Sequence, residues 1–188
     1  MKNQIVFLRG KKTILRPIER SDAPLLTKWI NDPEVRVFLK GSHPLSELAE
    51  EKWIEEKLKK ENDFTLGIVD TKTSKLIGTM GLDQILHIHG TALTGALIGE
   101  KSYWGKGYGS DAKMALLDWA FNTLNLRKIC SRVIAFNERS YAYSKKCGYI
   151  EEARLKDHYF RNGRYYDQII LSVFREDWLP LGKKYFGK

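Results

Sequence analysis

Residues 102–112 read SYWGKGYGSDA and run straight into KMALLDWAFNTL, residues 113–124. Gly105, Gly107 and Gly109 alternate, and from about Gly109 to Thr123 the pattern is helical, with Ala112, Ala115, Leu116, Trp119 and Ala120 on the apolar side. Glycine reaches φ values and close approaches closed to other residues. A helix start carries unbonded amides and the positive end of the helix dipole. The amides of Gly105, Gly107, Gly109 and Ser110 therefore suit an anion, a phosphate first of all. Asp111 does not help an anion, but acidic residues are normal in a first helical turn. Taken alone, the stretch is also readable as a plain turn.

Two well-known phosphate motifs fail here. A P-loop needs four residues between its first two glycines and Ser or Thr after the lysine. Gly99 and Gly105 enclose five residues, and Gly107 follows Lys106. A dinucleotide fingerprint needs a third glycine where Ser110 stands, at the start of a parallel unit.

The strands leading into the loop are not of that kind. FTLGIVD (64–70), KLIGTMGLDQIL (75–86) and TALTGALIG (91–99) are short-turned neighbours and read as antiparallel. Further upstream, TILRPI (13–18) alternates as a strand. Ser21 is expected to cap a helix to about Ile30, with Asp22 and Pro24 early in it. DPEVRVFL (32–39) reads as a short helical turn. Ser46 opens a helix to about Lys60, with Leu48, Trp53, Ile54 and Leu58 roughly on one face. Downstream, KICSRVIA (128–135) follows a crossover helix and is expected parallel to TALTGALIG. NERSYAYSKKC (137–147) is a short helix opened by Asn137. YIEEARLKDHYF and RYYDQIILSVF form a hairpin whose Asn162-Gly163 is the strongest turn signal in the chain.

No linker, repeat or low-complexity stretch divides the chain, so residues 1–188 read as one domain. The expected class is α+β: a mixed, mostly antiparallel sheet of six to seven strands, with helices on both faces. At 43% hydrophobic and 29% charged residues the chain is globular in composition. No apolar run approaches the roughly 20 residues of a membrane span, and MKNQIVFLRG is too polar for a secretory signal. The expectation is a cytoplasmic protein without membrane association. Cys130 and Cys147 are too few for a disulfide framework and have no zinc spacing, so both read as ordinary thiols. The net charge of +9 suits an anionic cofactor or nucleic acid. No basic run interleaved with aromatics marks a nucleic-acid surface, and specific nucleic-acid binding is not expected.

The glycine loop, one intervening strand and NERSYAYSKKCGY together resemble the GCN5-related N-acetyltransferases (GNAT). That family pairs a Q/R-x-x-G-x-G/A loop with a later N-x-x-A/S-x-x-x-Y-x-K-x-G-F helix. Gly107 and Gly109 match the loop; Asn137, Ser140, Lys146 and Gly148 match the helix, with Tyr149 in place of Phe. YWGKGYG, LNLRKI and RNGRYYD are similar to the branch holding ribosomal-protein alanine acetyltransferases and spermidine acetyltransferases. The resemblance covers residues 12–177. It implies acetyl-CoA in the gap of a splayed parallel strand pair, with no metal. The backbone of Leu97, Ile98 and Gly99 would then bond the pantetheine. Trp104, Gly105, Lys106, Gly107, Tyr108, Gly109 and Ser110 would hold the pyrophosphate. Asn137, Ser140 and Lys146 would meet the rest of the cofactor arm. Coenzyme A's phosphates also give the +9 charge a natural partner.

Two departures stand out. Trp104 occupies the Q/R position, as is frequent in this branch. The family's general-acid Tyr falls seven residues after Asn137, which here is Ser144; Tyr143 precedes it by one step, about 100° around a helix. Acetyl transfer to an amine needs an unprotonated amine, a donor for the oxyanion and a proton for sulfur. The amide near Ile98 or Gly99 is the oxyanion candidate, and Tyr143, Ser144 or Ser140 the support for sulfur. Glu100 and Asp83 are the candidate bases, although a solvated charge is the ordinary role of each. His87, His89 and His158 are candidates by residue type, since imidazole is the usual proton acceptor near neutrality, but read as loop residues. Tyr159 and Asp167 are candidates for the acceptor pocket. Trp29, Trp53, Trp119, Trp178, Phe38 and Phe64 read as core or interface. The expected acceptor is an amine, a protein N-terminus foremost, with a polyamine, amino sugar or other small amine as alternatives; Ser144 in the Tyr position and the +9 charge keep a non-catalytic CoA-binding or nucleic-acid-binding module as a further alternative, and monomer and homodimer both remain open.

Overall fold

The computed structural model describes residues 5–41 and 43–187. The chain runs β1 (Leu8–Arg9), β2 (Thr13–Pro17), α1 (Ala23–Asn31), α2 (Pro33–Arg36), α3 (Glu47–Leu58), β3 (Phe64–Asp70), β4 (Leu76–Leu86) and β5 (Thr91–Ile98). Then come α4 (Tyr108–Asn122), β6 (Lys128–Ile134), α5 (Glu138–Lys146), β7 (Ile150–Arg161), β8 (Arg164–Phe174) and α6 (Arg175–Phe186). The strands form one eight-stranded sheet in the order β1-β2-β3-β4-β5-β6-β8-β7. The strand beyond the seven legible in the sequence is β1, two residues too short to show a period.

Every neighbouring pair is antiparallel except β5–β6. That parallel pairing runs from Thr91↔Lys128 to Thr94↔Ser131 and stops, although β5 continues to Ile98 and β6 to Ile134. Beyond Thr94 and Ser131 the two strands diverge, which opens a gap in the middle of the sheet.

The sheet is covered on both faces. On one face α4 drives Ala112, Met114, Ala115, Leu116, Leu117, Ala120 and Phe121 into a core with Ile68, Ile77, Leu82, Ile129 and Leu171. Trp178 of α6, a helix that carries no strong pattern in the sequence, seals the same core. On the other face Leu26 and Trp29 of α1 and Ile54 of α3 pack with Ile18 and Ala23. Among the described residues no helix is long and apolar enough to cross a membrane.

Two local expectations change. Ser21 does not cap α1: it lies inside a 3-10 turn, Arg20–Asp22, and the capping box joins Glu19 to Asp22. The Asp22 carboxylate accepts the Glu19 amide and a bidentate grip from Arg16, each at 2.8 Å, and makes no cap bond to α1. On α3, Leu48 and Leu58 are exposed, whereas Glu50 and Ile54 turn inward. Ser46 caps that helix as expected, accepting from the Ala49 amide.

Candidate functional site

The strand gap and the glycine loop open into one cleft of about 460 Å³, within the range of small-molecule sites. Its floor carries Thr94 and Ser131, the last parallel pair, and its sides are the diverging ends of β5 and β6. One mouth is closed by the loop ahead of α4; the other lies under α2 and the turn after it, beside Tyr159 of β7.

The loop takes its shape from glycine at two positions. Gly105 and Gly107 adopt φ of 72° and 84°, the left-handed region that side chains resist. Gly107 is the N-cap of α4 and offers no side chain to its amides. α4 thus begins at Tyr108, one residue before the sequence suggests, and the amides of its first turn have no partner within the helix. Nothing lies within 4 Å of a Cβ built on Gly105, so the space over the loop is open. The arrangement fits a pyrophosphate.

Asp111, next along, turns away from the cleft. Its carboxylate accepts the amides of Lys11, Lys12 and Thr13 at 2.8–2.9 Å, the Thr13 hydroxyl at 2.7 Å, and the Tyr185 hydroxyl. Burial alone would raise its pKa; the hydrogen bonds from Tyr185, Thr13 and the amides outweigh burial and hold it below the usual carboxylate range. The clamp places Lys12 over the loop. Lys12 Nζ donates to Lys106 O at 3.1 Å and lies over the Tyr108 ring. Nothing local marks Lys12, which reaches the loop only through tertiary pairing.

The backbone around the gap sorts itself by strand alternation. The Gly99 amide donates to Ile77 O on β4 at 3.0 Å. Successive strand residues present their polar groups to opposite sides. Leu97 and Gly99 are therefore engaged with β4, while Ala96 and Ile98 face the gap. Of the three residues expected at the pantetheine, Leu97 and Ile98 line the cleft together with Ala96, and Gly99 does not. Ile98 O already accepts Trp104 Nε1 at 2.6 Å, which leaves the Ile98 amide. Gly99 has a different duty: a Cβ there would fall 1.9 Å from the Trp29 ring.

From the second motif, Asn137 caps α5 by accepting the Ser140 amide at 3.1 Å, which leaves its Nδ2 for a ligand. Asn137, Ser140 and Lys146 all line the cleft. Of the loop residues, Trp104, Gly105, Gly107, Tyr108, Gly109 and Ser110 line it, and the Lys106 side chain does not. Tyr143 lines the cleft from α5, and Ser144, one step around the helix, is fully buried in the core. Burial, with Cys147 beside it, pushes the Tyr143 phenol above its ordinary value. Tyr143 therefore keeps its proton across the neutral range.

The two candidate bases lie elsewhere. Glu100 accepts Trp29 Nε1 at 3.0 Å, and Asp83 accepts Lys57 Nζ at 2.5 Å; neither lines the cleft. Both side chains anchor elements of the α1–α3 face instead. Tyr159 lines the cleft with its hydroxyl donating to Gln168, whereas Asp167 binds Arg154 and the Asp157 amide outside it. His87 and His89 sit in the exposed β4–β5 turn, and His158 is exposed beside the Tyr159 ring. Among the described residues no group of three His, Cys, Asp or Glu is placed to hold a metal.

Phe38 leaves the core expected for it and lines the cleft. The Arg139 guanidinium stacks on the Trp104 ring at 3.9 Å and lies 5.2 Å from the Phe38 ring. Arg161 reaches back from β7 to the carbonyls of Leu39 and Lys40 at 2.7 and 3.2 Å, and so fixes the turn after α2. The charged side chains lining the cleft are Lys40, Arg132, Arg139 and Lys146; no carboxylate lines it among the described residues.

Residues 12–150 match the acetyltransferase (GNAT) domain family. The chain belongs to that family. An N-acetyltransferase named p20 and left uncharacterized, from Bacillus licheniformis, is 28% identical over 91% of this chain and 97% of its own length. The spermidine N(1)-acetyltransferase of Vibrio cholerae is 27% identical over 88% and 94% of the two chains. A structure titled as that organism's spermidine N-acetyltransferase with CoA and spermine superposes with a TM-score of 0.83, covering 90% of this chain and 99% of that one at 25% identity. This GNAT chain is an acetyl-CoA-dependent N-acetyltransferase. The amide-lined loop, the cations around it and the gap in the sheet are the features that suit its cosubstrate.

Proposed function

We propose that this acetyltransferase acylates a primary amine carried on a neutral or anionic molecule, a peptide α-amine foremost. The observation behind this reading is the cleft's lining: four cationic side chains and, among the described residues, no carboxylate. A polyamine brings further positive charges beside the reacting one. In a partly desolvated cleft such charges need acidic partners and are repelled by Lys40, Arg132 and Arg139.

The chemistry of the amine points the same way. A reactive amine must lose its proton, and neither Glu100 nor Asp83 is in the cleft to take it. An α-amine, with a pKa of about 7.7–8.0, is about a quarter neutral at about pH 7.4; a lysine-like alkyl amine, near 10.4, is neutral in about one molecule per thousand. An α-amine needs no strong base.

In this reading the loop amides and Lys12 hold the pyrophosphate, and Asn137, Ser140 and Lys146 meet the remainder of the cofactor arm. The Ile98 amide is the donor for the developing oxyanion. The Tyr143 hydroxyl gives its proton to the departing sulfur. The acetyl-CoA thioester supplies the activated acyl group.

A second reading, polyamine acetylation, is favoured by the names of the Vibrio cholerae relative and structural neighbour. An acetyl-CoA turnover screen over peptides with varied N-termini, spermidine, spermine and amino sugars decides between them. Higher kcat/KM on peptides supports the proposal; preference for spermidine or spermine overturns it.

A further inference from the structure

Beneath the cleft floor lies a lysine that none of the roles above uses. Lys113, on the second turn of α4, is completely buried. Its Nζ donates to Thr94 Oγ1 at 2.8 Å. It also lies 5.5 Å from the centroid of the Tyr143 ring and 5.4 Å from that of Tyr149. Thr94 and Tyr143 both line the cleft. One side chain thus underlies the end of the parallel pairing and the tyrosine proposed above as proton donor to sulfur.

A buried ammonium normally has a carboxylate beside it, because an uncompensated charge in the interior is costly. Here the groups facing it are the Thr94 hydroxyl from β5, the Tyr143 ring from α5, the Cys147 thiol just after α5, and the Tyr149 ring at the entry to β7. Asp111, two residues back on α4, is engaged by the β1–β2 turn and Tyr185. Lys146 adds a further positive charge across the cleft wall. Two π faces and one hydroxyl favour the cation without neutralising it. The missing negative charge is available from above, in the reaction: as the amine attacks, charge builds on the carbonyl oxygen and then on sulfur.

We propose that Lys113 is a positioning residue for acetyl transfer, holding Thr94 and the Tyr143 phenol in place and setting one positive charge under the atoms where negative charge develops. The role rests on acetyl transfer in this cleft and is independent of which amine is accepted.

The charge state gives the test its handle. Burial lowers the Lys113 pKa to about 8, with the Cys147 thiol raising it in the opposing sense. Burial lifts Cys147 to about 11 and raises Tyr143 and Tyr149, so Lys113 is the member of this cluster that titrates near neutrality. The ammonium is present below about pH 8 and lost above it.

The experiment compares wild type with Lys113→Met for kcat against pH, using the best amine from the screen. The expected result is a wild-type kcat that falls above about pH 8, a limb missing from Lys113→Met. At neutral pH the variant's kcat is expected to be about tenfold lower, with KM for acetyl-CoA changed less than twofold. Equal kcat and identical profiles overturn the proposal. A measurement on the wild type covers failure of the variant to fold and needs no acceptor. The Nζ resonance of 15N-lysine-labelled protein is titrated with and without CoA. A midpoint that rises when the anionic cofactor is bound supports the proposal; one that CoA leaves unmoved overturns it, whatever the screen finds.

Discussion

The two ends of the cleft are built on different plans. At the end proposed for the cofactor the available groups are backbone amides from consecutive residues, Trp104 to Ser110, shaped by two positive-φ glycines and the start of one helix. At the end proposed for the acceptor they are side chains from elements far apart in sequence: Phe38 after α2, Arg139 on α5 and Tyr159 on β7, with Arg161 behind the turn after α2. A local backbone device suits a cosubstrate that every member of the family shares. A nonlocal cluster of side chains can change its charge and shape one residue at a time.

The sharpest way to break that contrast is at Gly107. Gly107→Val forces a β-branched residue to φ near 84° and sets a side chain beside Lys12 Nζ. Affinity for acetyl-CoA, by calorimetry, is expected to fall about a hundredfold or more. Retained affinity would show that the loop is not the phosphate cradle.

Next in size are Tyr143 and Ser144. Tyr143→Phe is expected to lower kcat about a hundredfold, the low end for loss of a proton donor, with little change in KM for acetyl-CoA. Ser144→Ala, buried behind the wall, is expected to leave turnover within a factor of about two. The reverse pattern would restore the family's usual spacing.

The Asp111 clamp couples the cofactor end to the rest of the sheet. Asp111→Ala leaves three buried or half-buried amides without their acceptor and is expected to destabilise by about 3 kcal/mol in urea unfolding at pH 7. The pH sign follows from its depressed folded pKa. The contribution is present above the unfolded value of about 3.9 and disappears as pH falls through the lower folded value. The wild type therefore loses more stability on acidification than Asp111→Asn does. Equal acid sensitivity would show that the clamp holds no charge.

The smallest effect is expected at the acceptor end. Arg161→Ala releases the carbonyls of Leu39 and Lys40 and is expected to raise KM for the amine about three- to tenfold, with KM for acetyl-CoA unchanged. A change in the cofactor KM would mean that the two ends are not independent.

The same division governs what was legible. The cofactor end lies in one run of sequence, so the glycines of SYWGKGYGSDA and the Asn137 cap announce it. The hairpin at Asn162-Gly163 and the parallel pairing of β5 with β6 followed from turn chemistry and chain order. Lys12, Phe38, Arg139 and Lys113 were not announced. Each is an ordinary residue in its own window, and Lys113 stands within a helix whose other buried positions are mostly apolar. Glu100 and Asp83 misled in the opposite direction, since nearness in sequence to the loop did not place their carboxylates in the cleft.

Sequence by itself determined the backbone devices: the glycine loop ahead of α4, the Asn137 start of α5, the Asn162-Gly163 turn, and which strands can pair, because these depend on short-range sterics and hydrogen bonding. Tertiary structure alone decided which side of α5 faces the cleft, which carboxylates are engaged elsewhere, and that a buried lysine lies against Thr94 and Tyr143. Those outcomes depend on burial and on partners distant along the chain, and no local window contains them.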